Sequence, residues 1–334
     1  MSPVTESAVV RVARAFRAAI LADDAEQMAL LADRYLQLEL SLEDTIAALA
    51  ERIANMDDAT YWQIQRLETY QRYQLRLLAE LDKYNAWVAE NVREGQLRFA
   101  GLGTDHAAAT LETARRGASV PLTSAERDRL MAMVGYAGDG SPLSTLLAQS
   151  GDYVRAAVTQ KLLRAVATAQ NPRITAREIR KATGMALNRA MAIARTEQLR
   201  VYREATAASY RASGIQWYQR IAARDPATCL ACLSLDGEIS TSDASVDDHV
   251  AGRCTSVPII PGVANPQMEP VQSWFDRQDE ATQRAMMGDA RYSMYTSGQV
   301  SWSDLGRRVA DPTWGSAPQV VPVRDLAASA SAAA

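Results

Sequence analysis

A chain of 334 residues, 48% of them apolar, is long enough for two or three domains and can bury a sizeable core. With 36 Lys and Arg against 39 Asp and Glu, its net charge of −3 excludes a polycation that holds nucleic acid through an overall field, so any DNA contact is local. It has no apolar run of the roughly 18 residues that a membrane helix needs, and its start, MSPVTESAVVRVARAF, lacks the pattern of a signal peptide. We therefore expect synthesis in a reducing cytoplasm, where three cysteines favour a metal site over a disulfide framework.

Abundant alanine and only three phenylalanines favour helices. After Ser41, the positions Leu42, Ile46, Leu49, Ile53 and Met56 step by four and three, and Asp44 is placed to close a capping box. A longer helix is predicted from about Tyr61 to Val92, with Leu67, Tyr70, Leu77, Leu81, Tyr84 and Val88 in near-heptad register. Its aromatics read as the filling of a helix-pair seam, with an exposed partner surface as the alternative. Residues 95–150 read as loops with short helices, one of them opened by Thr123 and Glu126. His106 reads as a surface or capping residue. A helix from Asp152 toward Thr168 stops at Asn171-Pro172, a short one follows with Thr175 and Glu178 as its cap, and a long one runs from Met185 to a stop at Ser213-Gly214.

Beyond Gly214 the period changes. Ile215, Trp217 and Ile221 alternate with Gln216, Tyr218 and Arg220, which predicts a strand whose buried face carries Trp217 and whose polar face carries Arg220. A last helical stretch, PVQSWFDRQDEATQRAMMG, precedes an extended segment and an Ala/Ser tail expected to be disordered. The fold class is mainly α: a helical body over 1–150, a small α+β module over 151–262, and a C-terminal helix and tail over 263–334.

All three cysteines and one of the two histidines lie between Cys229 and Cys254. The two-residue gap of Cys229-Leu-Ala-Cys232 lets both sulfurs meet one ion after a turn at Asp225-Pro226, and His249 and Cys254 would complete a closed Cys3His shell for structural zinc. Asp236, Glu238, Asp243, Asp247 and Asp248 read as a solvated acidic face. A zinc deaminase is excluded, because His106 is not followed by the Glu that chemistry needs. A thioredoxin-like pair should open a helix, whereas LSLDG reads as a turn. A Cys254–His249 nucleophile pair and ordinary buried or free cysteines remain as alternatives.

The order IARTEQLRVYREA, a helix ending in Ser-Gly, a Trp-containing strand, RDPATCLACLSLDG and a His…Arg-Cys pair resembles the head morphogenesis domain of phage Mu F-like minor head proteins. Arg195, Thr196 and Glu197 match its Arg-Thr-Glu helix. Cys229, Cys232, Asp236 and Gly237 match Cys-x-x-Cys…Asp-Gly, and His249, Arg253 and Cys254 match His-x-x-Cys-Arg-Cys. Gly252 replaces the first cysteine of that last element. The resemblance covers about Ala186 to Pro261 and implies a non-enzymatic virion component inside the head near the portal vertex. Its implied partners are the portal protein and major capsid or scaffold proteins, with packaged double-stranded DNA as a further one and no membrane.

Arg195, Thr196, Glu197, Asp236, Gly237 and Arg253 are expected to brace the cysteine hairpin. Arg173, Arg177, Arg180, Lys181 and Arg189 open a basic stretch that runs on through Arg195, Arg200 and Arg203 and would meet DNA or an acidic portal surface if they share a face; a solvated helix with internal ion pairs is the alternative. The competing functions are a capsid maturation protease or other head hydrolase, for which no Gly-x-Ser-x-Gly or His-Glu-x-x-His is present, and a zinc-module binding protein unrelated to phage.

Overall fold

The computed structural model describes residues 6–114, 120–225, 228–311 and 315–333. In chain order it runs through helices α1 (Ala8–Ser41), α2 (Glu43–Ala54), α3 (Tyr61–Arg66), α4 (Glu68–Thr113), α5 (Ser124–Met133), α6 (Leu143–Ala148), α7 (Ser150–Ala167), α8 (Pro172–Thr183) and α9 (Met185–Ala212). Strand β1 (Trp217–Ile221), helix α10 (Leu230–Ser234) and strands β2 (Ile239–Thr241) and β3 (Thr255–Ile259) follow. The chain continues with α11 (Val271–Asp276), α12 (Glu280–Met287), α13 (Asp289–Thr296), a 3-10 turn at Trp302–Leu305, β4 (Gly306–Asp311), β5 (Gly315–Val320) and α14 (Val323–Ala333). The protein is thus mainly α, with its small sheets in the C-terminal half. No helix among the described residues is long and apolar enough to cross a membrane.

Two compact units share this chain, one formed by residues 24–94 and 135–195, the other by 1–23, 95–134 and 196–334. In the first, the predicted apolar positions Ile46, Leu49 and Ile53 of α2 are buried, as are Tyr70, Leu77, Leu81, Tyr84 and Val88 of α4. The aromatics do fill a seam, since Tyr35 and Tyr84 meet edge to face with ring centroids 5.1 Å apart. A buried tyrosine needs a partner for its hydroxyl, and each has one: Tyr70 on Thr159 at 2.6 Å, Tyr73 on Thr183 at 2.9 Å, Tyr84 on the Leu31 carbonyl at 3.1 Å. Burial raises the phenol pKa of Tyr35, Tyr73 and Tyr84, so all three stay neutral. Trp62, at 70% exposure, lies outside the seam.

Two caps differ from expectation. Ser41 ends α1 and donates to the Leu38 carbonyl instead of capping α2, whose N-cap is Leu42. Asn171 caps α8 with Pro172 in its first turn, so Thr175 is an interior, buried residue. The Thr123–Glu126 capping box is present as read.

In the second unit the segment FAGLGTDH, expected as loop, is the continuation of α4. Gly103 serves a close helix approach: a Cβ there would collide with the Tyr202 carbonyl and with Ala205 of α9. The adjoining residues 115–119 lie outside the described ones. His106, expected at the surface, is fully buried. Its Nδ1 lies 2.7 Å from the Tyr202 hydroxyl, which in turn lies 2.9 Å from Thr255 Oγ1, and burial lowers its pKa to about 3. It is a neutral core histidine.

The three-stranded sheet has the order β2-β1-β3, antiparallel throughout, with Tyr218 opposite Ser240 on one side and Pro258 on the other. The expected facing around β1 holds for Ile215 and Ile221, which are buried, and fails for Trp217, Tyr218 and Arg220. Trp217 is 45% exposed, whereas Tyr218 and Arg220 are buried. β4 and β5 form an antiparallel hairpin packed on α10, close enough that a Cβ on Gly306 would strike Ser234 and Ala231. The Ala/Ser tail, expected to be disordered, forms α14, because alanine has the highest helix propensity and Leu326 anchors it in the core.

Candidate metal centre

Arg220, pointing inward from the central strand, starts the site. Its guanidinium donates to the Asp247 carbonyl and, through Nη1, to Asp247 Oδ1 at 3.0 Å; Nη2 reaches Asp248 Oδ1 at 3.4 Å and Cys232 Sγ at 3.8 Å. From α9, the buried Arg203 reaches the Gly252 carbonyl at 3.2 Å and Asp248 Oδ2 at 3.6 Å. Burial favours the neutral acid at Asp248, yet the charges of these two arginines prevail and lower its pKa.

Cys229 is the N-cap of α10 and accepts the Cys232 backbone N–H at 3.3 Å. The Cys-x-x-Cys does open a helix, a short one that ends at Ser234, and the turn read from LSLDG follows at residues 235–237. For the turn before it, Pro226 lies outside the described residues, while Thr228 donates its N–H to the Asp225 carbonyl at 2.9 Å. His249 brings Nε2 to 3.0 Å from Cys229 Sγ, and its Nδ1 lies 2.8 Å from the Val250 carbonyl. The ligand atoms of Cys229, Cys232 and His249 fall within 4.8 Å of one another, and so do those of Cys232, Asp248 and Cys254. All four sequence-selected ligands, Cys229, Cys232, His249 and Cys254, line one cavity of about 40 Å³, with Thr228, Ala223, Ala251 and Arg253.

The size of that cavity decides what it can hold. A water molecule occupies about 30 Å³ and small-molecule pockets run to about 300–1,000 Å³, so the space is of the size of a single ion. A hydrogen bond with the Cys232 side chain, opposed by burial and aided by His249, lowers the Cys229 pKa to about 4; its hydrogen bond to Cys229 raises His249 to about 9. Hydrogen bonding with Cys229 and Cys254 raises Cys232 instead. The result is a thiolate beside an imidazolium, with the thiolate already in the form that binds metal. Soft sulfur donors with one imidazole suit zinc, and the group is close enough to hold a metal.

The expected bracing residues divide. Thr196 Oγ1 accepts the Ala251 N–H at 2.9 Å and so ties α9 to the loop after His249, at a residue held in left-handed conformation with φ 59°. Asp236 accepts from Ala222 N at 2.8 Å and pairs with Arg224, and Gly237 takes the positive φ of the turn into β2. Arg253 forks onto both oxygens of Asp225 at 3.0 and 2.8 Å. Arg195 pairs instead with Asp24 at 2.7 Å, and Glu197 with Arg200 on its own helix at 2.7 Å.

Of the acidic stretch read as a solvated face, Asp243 is exposed as expected and the other four are not free in solvent. Asp236 and Asp248 have fully buried side chains, and Glu238 and Asp247 both pair with Arg308 of β4. In the basic stretch, Arg180 pairs with Glu43, Lys181 with Glu178, and Arg189 bonds Gln149 while lying 5.2 Å over the Tyr153 ring. Arg173 and Arg177 are exposed and form no ion pair among the described residues. Sequence reasoning passed over Arg203, Arg220 and Asp248 as site residues; an Asp directly before the ligand histidine was the available signal for the last.

Comparison with known proteins gives one family: the family model described as Phage Mu protein F like protein matches residues 156–268. No curated protein and no solved structure matches the chain.

Proposed function

Residues 156–268 belong to the Phage Mu protein F like family, a phage head-morphogenesis family, and from that premise we propose that the chain is a non-enzymatic minor head protein of the virion, placed inside the capsid at the portal vertex and acting in head assembly. The family match carries this reading, since its span contains α9 and every residue that lines the ion-sized cavity. We read the cavity as a structural zinc centre. Cys229, Cys232, His249 and Cys254 would close the shell around the ion, leave no position for water, and so pin the module rather than catalyse.

A hydrolase would use the Cys229–His249 pair as nucleophile and base; the convergence of Cys232 and Cys254 on the same ion-sized cavity supports the non-enzymatic reading. Partners under this proposal are the portal protein and the major capsid or scaffold proteins. Arg173 and Arg177, exposed on α8, are the basic residues left to meet packaged DNA or an acidic portal surface, with a role in DNA packaging or ejection. Quantitative mass spectrometry of purified heads, made with and without the portal gene, tests the proposal. We expect a few copies per head that disappear with the portal. Absence from normal heads overturns the assignment, and full retention without the portal overturns its portal part.

A further inference from the structure

Asp248 is not among the residues that line the cavity, yet the loop from His249 to Cys254 meets it at its start, at Gly252 and at its end. Oδ1 accepts the His249 backbone N–H at 3.0 Å and the Cys232 thiol at 3.4 Å, and faces Arg220 Nη2 at 3.4 Å. Oδ2 accepts the Cys254 N–H at 3.0 Å and faces Arg203 Nη1 at 3.6 Å. The beginning and the end of the loop therefore hang on one carboxylate. Its middle is shaped by the same group: a Cβ on Gly252 would fall on the carboxylate carbon and both of its oxygens. Glycine stands at 252 because Asp248 occupies the space a side chain would need.

We propose that Asp248 is the positioning residue of this centre, holding His249 and Cys254 on the cavity before any ion arrives. In small modules whose ligands converge only on the ion, removing the metal unfolds the chain. Here two arginines, two backbone N–H groups and a thiol satisfy the buried carboxylate, so convergence is built into the protein. These donors occupy both of its oxygens, which makes Asp248 an orienting partner rather than a ligand even though its carboxylate lies within 4.8 Å of the Cys232 and Cys254 sulfurs. The metal-binding arm of this proposal rests on the zinc reading above; the loop-ordering arm does not.

The test uses the full chain stripped with a chelator, followed by hydrogen exchange of the His249 and Cys254 amides and by titration with cobalt(II), whose thiolate-to-metal bands report the centre. In metal-free wild type both amides stay protected. Asp248→Asn loses that protection and binds cobalt about 10–100-fold more weakly, and Gly252→Ala, which pushes on the carboxylate, shifts both readings in the same direction. If the two amides of metal-free wild type exchange freely and become protected only on adding cobalt, the ion orders the loop and the proposal falls. It falls also if Asp248→Asn binds cobalt as tightly as wild type. Should wild type take up no cobalt, the zinc reading fails while amide protection in the same sample still decides the role of Asp248. Should Asp248→Asn fail to fold, the wild-type exchange measurement decides alone.

Discussion

In the helix seam of the unit formed by residues 24–94 and 135–195, buried polarity is carried by neutral hydroxyls, while the buried Asp24 of that unit is paired with Arg195. Tyr70, Tyr73 and Tyr84 each give one hydroxyl to a nearby acceptor, and the surrounding contacts are apolar. In the other unit, the module around α10 buries full charges: Arg203, Arg220, Arg224, Asp236 and Asp248. The contrast separates two kinds of robustness. Losing one hydroxyl costs about one net hydrogen bond, near 1 kcal/mol, whereas losing one member of a buried ion pair strands the other in low dielectric.

The sharpest way to break this contrast is Arg220→Met. Asp248 would keep Arg203 and the more distant His249 as counter-charges, and we expect a loss of about 3–5 kcal/mol in urea unfolding; a loss below about 1 kcal/mol would show that the buried charges do not hold the module. The next effect is in pH. Because burial holds His106 near 3 in the folded state, the unfolded chain takes up a proton below about 6.5 that the folded chain refuses. Stability from this group is complete above pH 6.5 and is lost as pH falls toward 3, by up to about 1.4 kcal/mol per pH unit. His106→Gln should flatten that part of the stability profile relative to wild type. Smaller again is Tyr73→Phe in the helical unit, expected to cost about 1 kcal/mol, because Thr183 keeps its bond to the Ile179 carbonyl. Smallest is Arg308→Ala. Its side chain is partly exposed, so the pairs with Glu238 and Asp247 are screened by solvent and the loss in thermal unfolding should stay below about 1 kcal/mol and shrink with added salt.

The same contrast explains what could be read in advance. Apolar periodicity located α2 and the first part of α4, whose buried positions Ile46, Leu49, Ile53, Leu77, Leu81 and Val88 are aliphatic, and the stops at Asn171-Pro172 and Ser213-Gly214 bounded α7 and α9. The cysteine spacing found the four cavity-lining residues because soft ligands are rare in this chain. Arg220 escaped for the opposite reason: a pattern that counts arginine as solvent-facing puts Arg220 outside, and only the tertiary arrival of Asp247 and Asp248 makes an inward arginine stable. Gly103 was misread because glycine marks either a break or a close helix approach, and the partner helix that decides between them lies about a hundred residues on. The hairpin β4–β5 carries Pro318 and little apolar alternation, so its packing on α10 has no periodic signature.

The borders of the three-stranded sheet bear on how many copies of this chain tolerate one another. On one border β2 is only three residues long, and on the other Pro258 has no N–H to offer. Neither border presents the run of open donors and acceptors onto which a foreign strand zips. The three-stranded sheet thereby offers a foreign strand little to template on.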